Sequence, residues 1–328
     1  MEKLIEAFTE NLKTSLEISN KNNLSNSKTP ISNVLICGMG GSGIGGKLIN
    51  DFIKNEIVVP IVLCSDYTIP NFVDKTTLVV ASSYSGNTEE TLNAVHLAHN
   101  KGANIVAICS GGELESFCKK NSYPFILVPG GNQPRAAIAY SLVQLLHVFS
   151  SYQLISKSWI SEIEQSILLL DSHLLENKQL GKDIAHFLYQ KVPVLYTESS
   201  YEGIGIRARQ QLNENSKSLG WSHFIPEMNH NELVGWGTGD DRFAVLFIYT
   251  EDMNPRNRKR MDLTKQIVQN KTQFTFTLNA KGSSLIQRSL YLINVLDWAS
   301  FYLHQLNEVD VFDIKVINHL KAELSKVD

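Results

Sequence analysis

Asn33-Val34-Leu35-Ile36-Cys37-Gly38-Met39-Gly40-Gly41-Ser42-Gly43-Ile44-Gly45-Gly46 decides the architecture, because a short apolar run is followed at once by six glycines in nine residues. An apolar run with no alternation suits a strand buried on both faces of a parallel sheet. The glycines after it let the backbone turn tightly, pass close to a ligand and aim N–H groups at an anion where a helix begins. Working outward, similar Val- and Ile-rich runs recur at 57–64, 77–82, 103–109 and 124–128. Helical patterns separate them at 43–55, 88–101, 112–120 and 135–150. Five strands alternating with helices predict an open, doubly wound α/β domain whose ligand site lies at the carboxyl ends of the strands. Before it, 1–20 reads as an amphipathic helix carrying Leu4, Ile5, Phe8, Leu12, Leu16 and Ile18, followed by a polar loop at 20–33. After it, 159–190 is helical in pattern. The alternation then resumes, with strands at 192–196, 243–249 and 274–278 and helices at 202–219, 256–270, 284–306 and 313–326. The whole predicts two α/β domains joined near residues 151–190. The segment after the strand at 192–196, Tyr196-Thr197-Glu198-Ser199-Ser200-Tyr201-Glu202-Gly203, stands where the glycine turn stands in the first half, as a duplication with the glycines lost would leave it.

Composition narrows the partners. At 328 residues with 43% hydrophobic and 19% charged, the chain can bury two ordinary cores. A formal net charge of −3 with scattered Lys, Arg, Asp and Glu gives no broad field for nucleic acid or an anionic membrane, so any anion site must be local. Cys37, Cys64, Cys109 and Cys118 follow no metal-ligand spacing and read as reduced thiols. No signal-peptide pattern opens the chain, and no apolar run approaches the roughly 18 residues that span a bilayer. A cytoplasmic protein without metal or cofactor is the expectation.

Ser82-Ser83-Tyr84-Ser85-Gly86-Asn87-Thr88-Glu89-Glu90-Thr91 carries more chemical information than the glycine turn. It joins the strand ending near Ala81 to a helix for which Thr88 or Asn87 is the expected N-cap. Hydroxyls of Ser83, Ser85 and Thr88, with free N–H groups at the helix start, would offer a phosphate several donors without Lys or Arg. Capping alone would explain Thr88 and Thr91 beside Glu89 and Glu90, but does not require three hydroxyls and a glycine before the cap. Gly38, Gly40 and Gly43 also fit the dinucleotide spacing G-x-G-x-x-G, with Asp66 as the acid that would reach a ribose. A nicotinamide-dependent oxidoreductase has no use for the serine loop.

Gly40-Gly41-Ser42-Gly43 together with Ser83 to Thr91 resembles the sugar isomerase (SIS) domain, which holds a sugar phosphate in a Ser-x-Ser-Gly-x-Thr loop. Pro134-Arg135-Ala136-Ala137, Asn213-Glu214-Asn215-Ser216-Lys217 and Met228-Asn229-His230-Asn231-Glu232 narrow the likeness. The set is similar to the bifunctional phosphoglucose and phosphomannose isomerases, which pair two such domains in a chain of about this length. That resemblance implies two α/β/α sandwich domains with mainly parallel sheets. Residues 1–152 would hold the phosphate loop, and 153–328 the catalytic Glu and His. It implies interconversion of glucose 6-phosphate and mannose 6-phosphate with fructose 6-phosphate, a homodimer, and no metal. Phosphate would be held by Gly41, Ser42, Ser83, Ser85 and Thr88. Glu214 would be the base. His230, reaching the site from the neighbouring subunit, would open the ring, with His223 ranked below it. Arg135 would place a fixed positive charge over the enediolate, and Lys321, chosen over Lys315, would contact substrate. Other readings are a non-catalytic regulatory module that senses a sugar phosphate, for which no DNA-binding extension is seen, and an aminosugar-handling relative, which would need an N-terminal cysteine nucleophile where Cys37 lies inside a strand.

Overall fold

The run Asn33–Cys37 forms β1 of a five-stranded, wholly parallel sheet in a computed structural model that describes residues 1–24 and 29–327. Of the expected loop at 20–33, residues 25–28 lie outside the described residues. The chain divides into two units, one comprising Lys3–Ser172 with Lys281–Tyr291, the other Met1–Glu2, His173–Ala280 and Leu292–Asp328. Residues 153–172 thus fall with the first unit.

In the first half of the chain the elements run α1 (Glu2–Glu6), α2 (Phe8–Lys21), β1, α3 (Gly40–Ile53), β2 (Ile61–Cys64), β3 (Thr77–Ser82), α4 (Glu89–Asn100), β4 (Asn104–Cys109), α5 (Gly112–Asn121), β5 (Phe125–Leu127), α6 (Ile138–Ser151) and α7 (Trp159–Ser172). Strand order is β2-β1-β3-β4-β5. Successive side chains leave a strand on opposite faces. Leu35, Val79 and Ile105 join Ala94 and Val95 of α4 and Leu114 of α5 in one core. Ile36 points the other way, against α3, where a Cβ on Gly46 would sit 2.9 Å from its Cγ2. Helices therefore cover both faces, and that is why these strands read as continuous apolar runs. Each fully buried Leu, Ile or Val contributes about 1.5–3 kcal/mol of transfer energy. β2 starts at Ile61 rather than near 57: Pro60 has no N–H for a ladder, and its carbonyl instead accepts Val34 N at 2.9 Å.

The second unit holds α8 (Leu174–Leu188), β6 (Val192–Glu198), α9 (Glu202–Ser216), β7 (Trp221–Ile225), α10 (Glu232–Gly235), β8 (Phe243–Tyr249), α11 (Pro255–Gln269) and β9 (Thr275–Asn279). The long α12 (Leu285–Leu306) begins in the first unit's closing segment and ends in this one, before α13 (Lys315–Leu324). The sheet is again parallel, ordered β7-β6-β8-β9, so its first strand has the second place, as β1 has in the other sheet. β7 is absent from the sequence expectation. It is an edge strand whose Trp-Ser-His-Phe-Ile sequence is only partly buried, which removes the apolar signal that marks the central strands. The expected helical stretch at 159–190 breaks at His173 into α7 and α8.

α9 is fastened to α12 along one face. Arg207 Nη2 and Nη1 donate to the two carboxylate oxygens of Asp297, the former at 2.9 Å. Gln211 Nε2 donates to Asp297 Oδ1 at 2.8 Å, Asn215 Nδ2 to Ser300 Oγ at 2.9 Å and Ser216 Oγ to the Ser300 carbonyl at 2.7 Å. Positions 207, 211 and 215 follow the four-residue repeat that stacks side chains on one helix face. Replacing Asp297 by Ala takes both carboxylate bonds from a buried guanidinium and should cost about 3–5 kcal/mol. Urea unfolding followed by circular dichroism should show the lower midpoint, with Asp297→Asn falling between Ala and wild type.

Candidate active site

Three segments of the first unit meet where its central strands end. Met39 is the N-cap of α3, so Gly40, Gly41 and Ser42 form that helix's first turn. Its first N–H groups have no intrahelical partner and carry the positive end of the dipole. Thr88 is the N-cap of α4. Ser42 Oγ accepts the Tyr84 amide at 3.0 Å, joining glycine turn and serine loop. Gly41 lies against the third segment: a Cβ there would sit 3.0 Å from the Pro134 carbonyl oxygen and 3.2 Å from Arg135 N. Gly41, Ser42, Ser83, Ser85, Thr88 and Arg135 are thus gathered by backbone packing that only glycine allows.

Within the loop, Ser83 Oγ donates to Thr88 Oγ1 at 3.0 Å, and Ser85 Oγ accepts the Asn87 amide at 3.2 Å. The Thr88 side chain does not cap α4. Thr88 stands at the expected N-cap position, with its side chain bonded to Ser83 instead of to the helix's N–H groups. Gly86 has φ 70°, and a Cβ on it would lie 1.8 Å from the Gly111 carbonyl oxygen. Leu114 N donates to the Gly86 carbonyl at 2.9 Å and Glu113 N to Asn87 Oδ1 at 2.9 Å, so the start of α5 braces the loop. Tyr84 was not singled out in the sequence, yet its hydroxyl donates to the Pro129 carbonyl at 2.8 Å and accepts Asn132 N at 3.1 Å. Arg135 is buried in the 3-10 turn Pro134–Ala136, with Nη1 at 3.4 Å from Gln133 Oε1. A guanidinium is a planar, positively charged fork of five N–H donors.

Below the turn, Cys37 and Cys64 face one another in register. The Cys37 hydrogen bond lowers the Cys64 thiol to about 6 against the opposing effect of burial, and the same bond, with burial, raises Cys37. The Cys64 carbonyl accepts Gly38 N at 3.1 Å, so the pair underlies the glycine turn.

Glu214, His230 and Lys321 stand on separate elements of the second unit. Glu214 is half-buried in the last turn of α9, which ends at Ser216 rather than at 219. Lys217, at φ 54°, ends the helix, and Lys217 and Ser218 fold back over the last carbonyls. Asn215 and Ser216, both poor helix formers, are accounted for by their bonds to Ser300. His230 is exposed at the end of the 3-10 turn Glu227–His230. Lys321 and Lys315 are exposed on α13. His223 lies within β7 and is held by Glu232 at 2.7 Å. Among the described residues no group of three His, Cys, Asp or Glu is placed to hold a metal ion, and no helix is long and apolar enough to cross a membrane.

A Caldicellulosiruptor bescii protein named bifunctional phosphoglucose/phosphomannose isomerase is 37% identical over 308 residues, spanning 90% of this chain and 91% of its own. An Aquifex aeolicus protein of the same name is 35% identical, spanning 91% and 92%. The chain belongs to this family. The family's "Bacterial phospho-glucose isomerase C-terminal SIS domain" profile matches residues 177–324, the stretch that carries Glu214, His230 and Lys321. In fold the chain is similar to the C-terminal domain of glucosamine-fructose-6-phosphate aminotransferase from Francisella tularensis, with a TM-score of 0.75 at 14% identity over 95% of this chain and 97% of that one.

Two measurements probe the first unit. Gly86→Ala should weaken inorganic phosphate binding, read by isothermal calorimetry, about tenfold or more, since its Cβ must displace the backbone that braces the loop. Alkylation of Cys64 by iodoacetamide should rise with pH through a midpoint at about 6. The midpoint should move up in Cys37→Ala, which removes the bond that favours the thiolate.

Proposed function

We propose that the chain is an aldose-ketose isomerase that interconverts glucose 6-phosphate and mannose 6-phosphate with fructose 6-phosphate by a metal-free cis-enediol route. The observation that carries this reading is the serine loop bonded to the glycine turn beside a buried arginine, in a chain similar along nine-tenths of its length to proteins named for both activities. Two helix starts and the hydroxyls of Ser42, Ser83, Ser85 and Thr88, with the Gly41 backbone, suit a phosphate dianion. They give it no chemistry to do. The phosphate is an anchor whose binding energy orients the reacting carbons.

The reaction needs ring opening, loss of a carbon-bound proton, stabilisation of the enediolate and return of the proton to the neighbouring carbon. Glu214 is the base, shuttling one proton between C2 and C1. The fastening of α9 to α12 fixes the helix from which it projects. Arg135 stabilises the enediolate with a charge that needs no reorganisation. His230 opens the ring, and its exposure fits service to a neighbouring subunit in a homodimer. Lys321 contacts the substrate. We assign phosphate holding to the first unit and proton transfer to the second, in a cytoplasmic enzyme. A regulatory module would share the anchor and lack the turnover.

Coupled assays of both aldoses at matched concentration test the reading. Glu214→Gln should lower kcat about 10³-fold on both, as expected for loss of a positioned base. Arg135→Ala should lower kcat about 10²–10³-fold on both with a smaller change in KM. Near-normal turnover by Glu214→Gln, or loss of one activity alone, would reject a single shared base.

A further inference from the structure

Glu232, two residues beyond His230, is bonded at both carboxylate oxygens, and the assignments above leave it without a role. Its Oε1 accepts Tyr196 Oη at 2.5 Å and Trp221 Nε1 at 2.7 Å, and its Oε2 lies 2.7 Å from His223 Nδ1. Its own amide donates to Asn231 Oδ1 at 2.6 Å. Trp236 Nε1 donates to Tyr196 Oη at 2.8 Å, which ties the far end of α10 to the same hub. Tyr196 is fully buried on the central strand β6, and burial with the Glu232 charge drives its ionisation far above the ordinary range, so it remains a donor at any working pH. Four residues cannot sustain a helix alone. α10 therefore exists because Glu232 is held from β6 and β7.

The other side of His230 is pinned as well. Met228 is fully buried in the core with Tyr196 and Phe247, and Asn229 Nδ2 donates to Thr264 Oγ1 of α11 at 2.7 Å. Asn231 Nδ2 reaches back to Glu227 Oε1 at 3.0 Å. His230 thus sits exposed at the apex of a short turn, with Met228 and Asn229 fixing its entry and Asn231 and Glu232 its exit. Apolar burial would hold such a turn against the sheet but would not fix its rotation. Three directional bonds to one carboxylate do.

We propose that Glu232 is a positioning residue for His230, holding the turn in the orientation from which the imidazole opens the sugar ring. This rests on the reading of His230 as the ring-opening group. What the role demands of residue 232 is acceptor geometry rather than charge. A glutamine can serve it: its carbonyl takes the Tyr196 and Trp221 donors while its amide donates to His223 in the other tautomer.

The test compares a substrate that must be opened with one that cannot close. Fructose 6-phosphate is mainly cyclic, whereas erythrose 4-phosphate has its C4 oxygen esterified and forms no furanose. Turnover of the tetrose also reports that a variant is folded. Glu232→Leu should lower kcat/KM on fructose 6-phosphate about 30-fold or more and leave the tetrose within about threefold, with Glu232→Gln within about threefold on both. His230→Ala should show the same selectivity, and adding Glu232→Leu to it should cost nothing further, since both act on one step. If Glu232→Leu does not fold, Tyr196→Phe, which removes one donor, should show a smaller loss confined to the cyclic substrate. Equal loss on both substrates, no loss on either, or additive effects with His230→Ala would overturn the proposal. Should His230→Ala itself lack selectivity, the ring-opening reading fails and the proposal falls with it. If His230→Ala is selective and Glu232→Leu is not, the proposal alone fails.

Discussion

The hydrogen bond from the Tyr84 amide to Ser42 Oγ fixes the spacing between two helix starts, and the anion site we propose there depends on that spacing. Each helix on its own offers a few N–H groups and a dipole worth about 0.3–1 kcal/mol at a surface. Brought together around hydroxyls, they make a cradle in which no donor carries a formal charge. A protein of net charge −3 can thus attract a dianion locally while presenting no general affinity for polyanions. Close approach is the requirement behind it. Gly41 against Pro134, and Gly86 against Gly111, are positions where any Cβ would force backbone apart.

That requirement explains why the first half of the chain was legible. Two-sided burial produces uniform apolar strands, and backbone contact produces glycines; both leave marks in one-letter sequence. The strands β1, β3 and β4 and the loop from Ser83 to Thr88 were readable for these reasons. β7 was not, because a half-exposed edge strand can mix Trp, Ser, His and Phe with no periodic mark. The end of α9 was overrun for a related reason. Lys217 takes a left-handed conformation that glycine usually marks, so nothing in the letters stops the helix.

In the second half, weak helix formers inside a helix have a structural meaning. Asn215 and Ser216, which follow Glu214, are poor helix formers. Their polar groups instead bond Ser300 on α12, in line with Arg207, Gln211 and Asp297. They say that the helix is fastened, not that its glutamate reacts. The reading of Glu214 as the base rests on family likeness, which is spread over nine-tenths of the chain.

Fastening nevertheless bears on chemistry. A base that serves two adjacent carbons must move less than a bond length between its tasks, so its backbone has to be stiffer than its side chain. α9 meets this with a buried row of bonds on one face, leaving Glu214 in the final turn half-exposed. The turn at His230 meets the same demand by other means, since it has too few residues to be stiff and borrows rigidity from β6, β7 and α11 through Glu232, Met228 and Asn229. In both places, polar groups buried beside the side chain proposed to react act on the backbone that carries it. Conserving the volume of these groups while removing their hydrogen bonds would keep the fold and loosen the site.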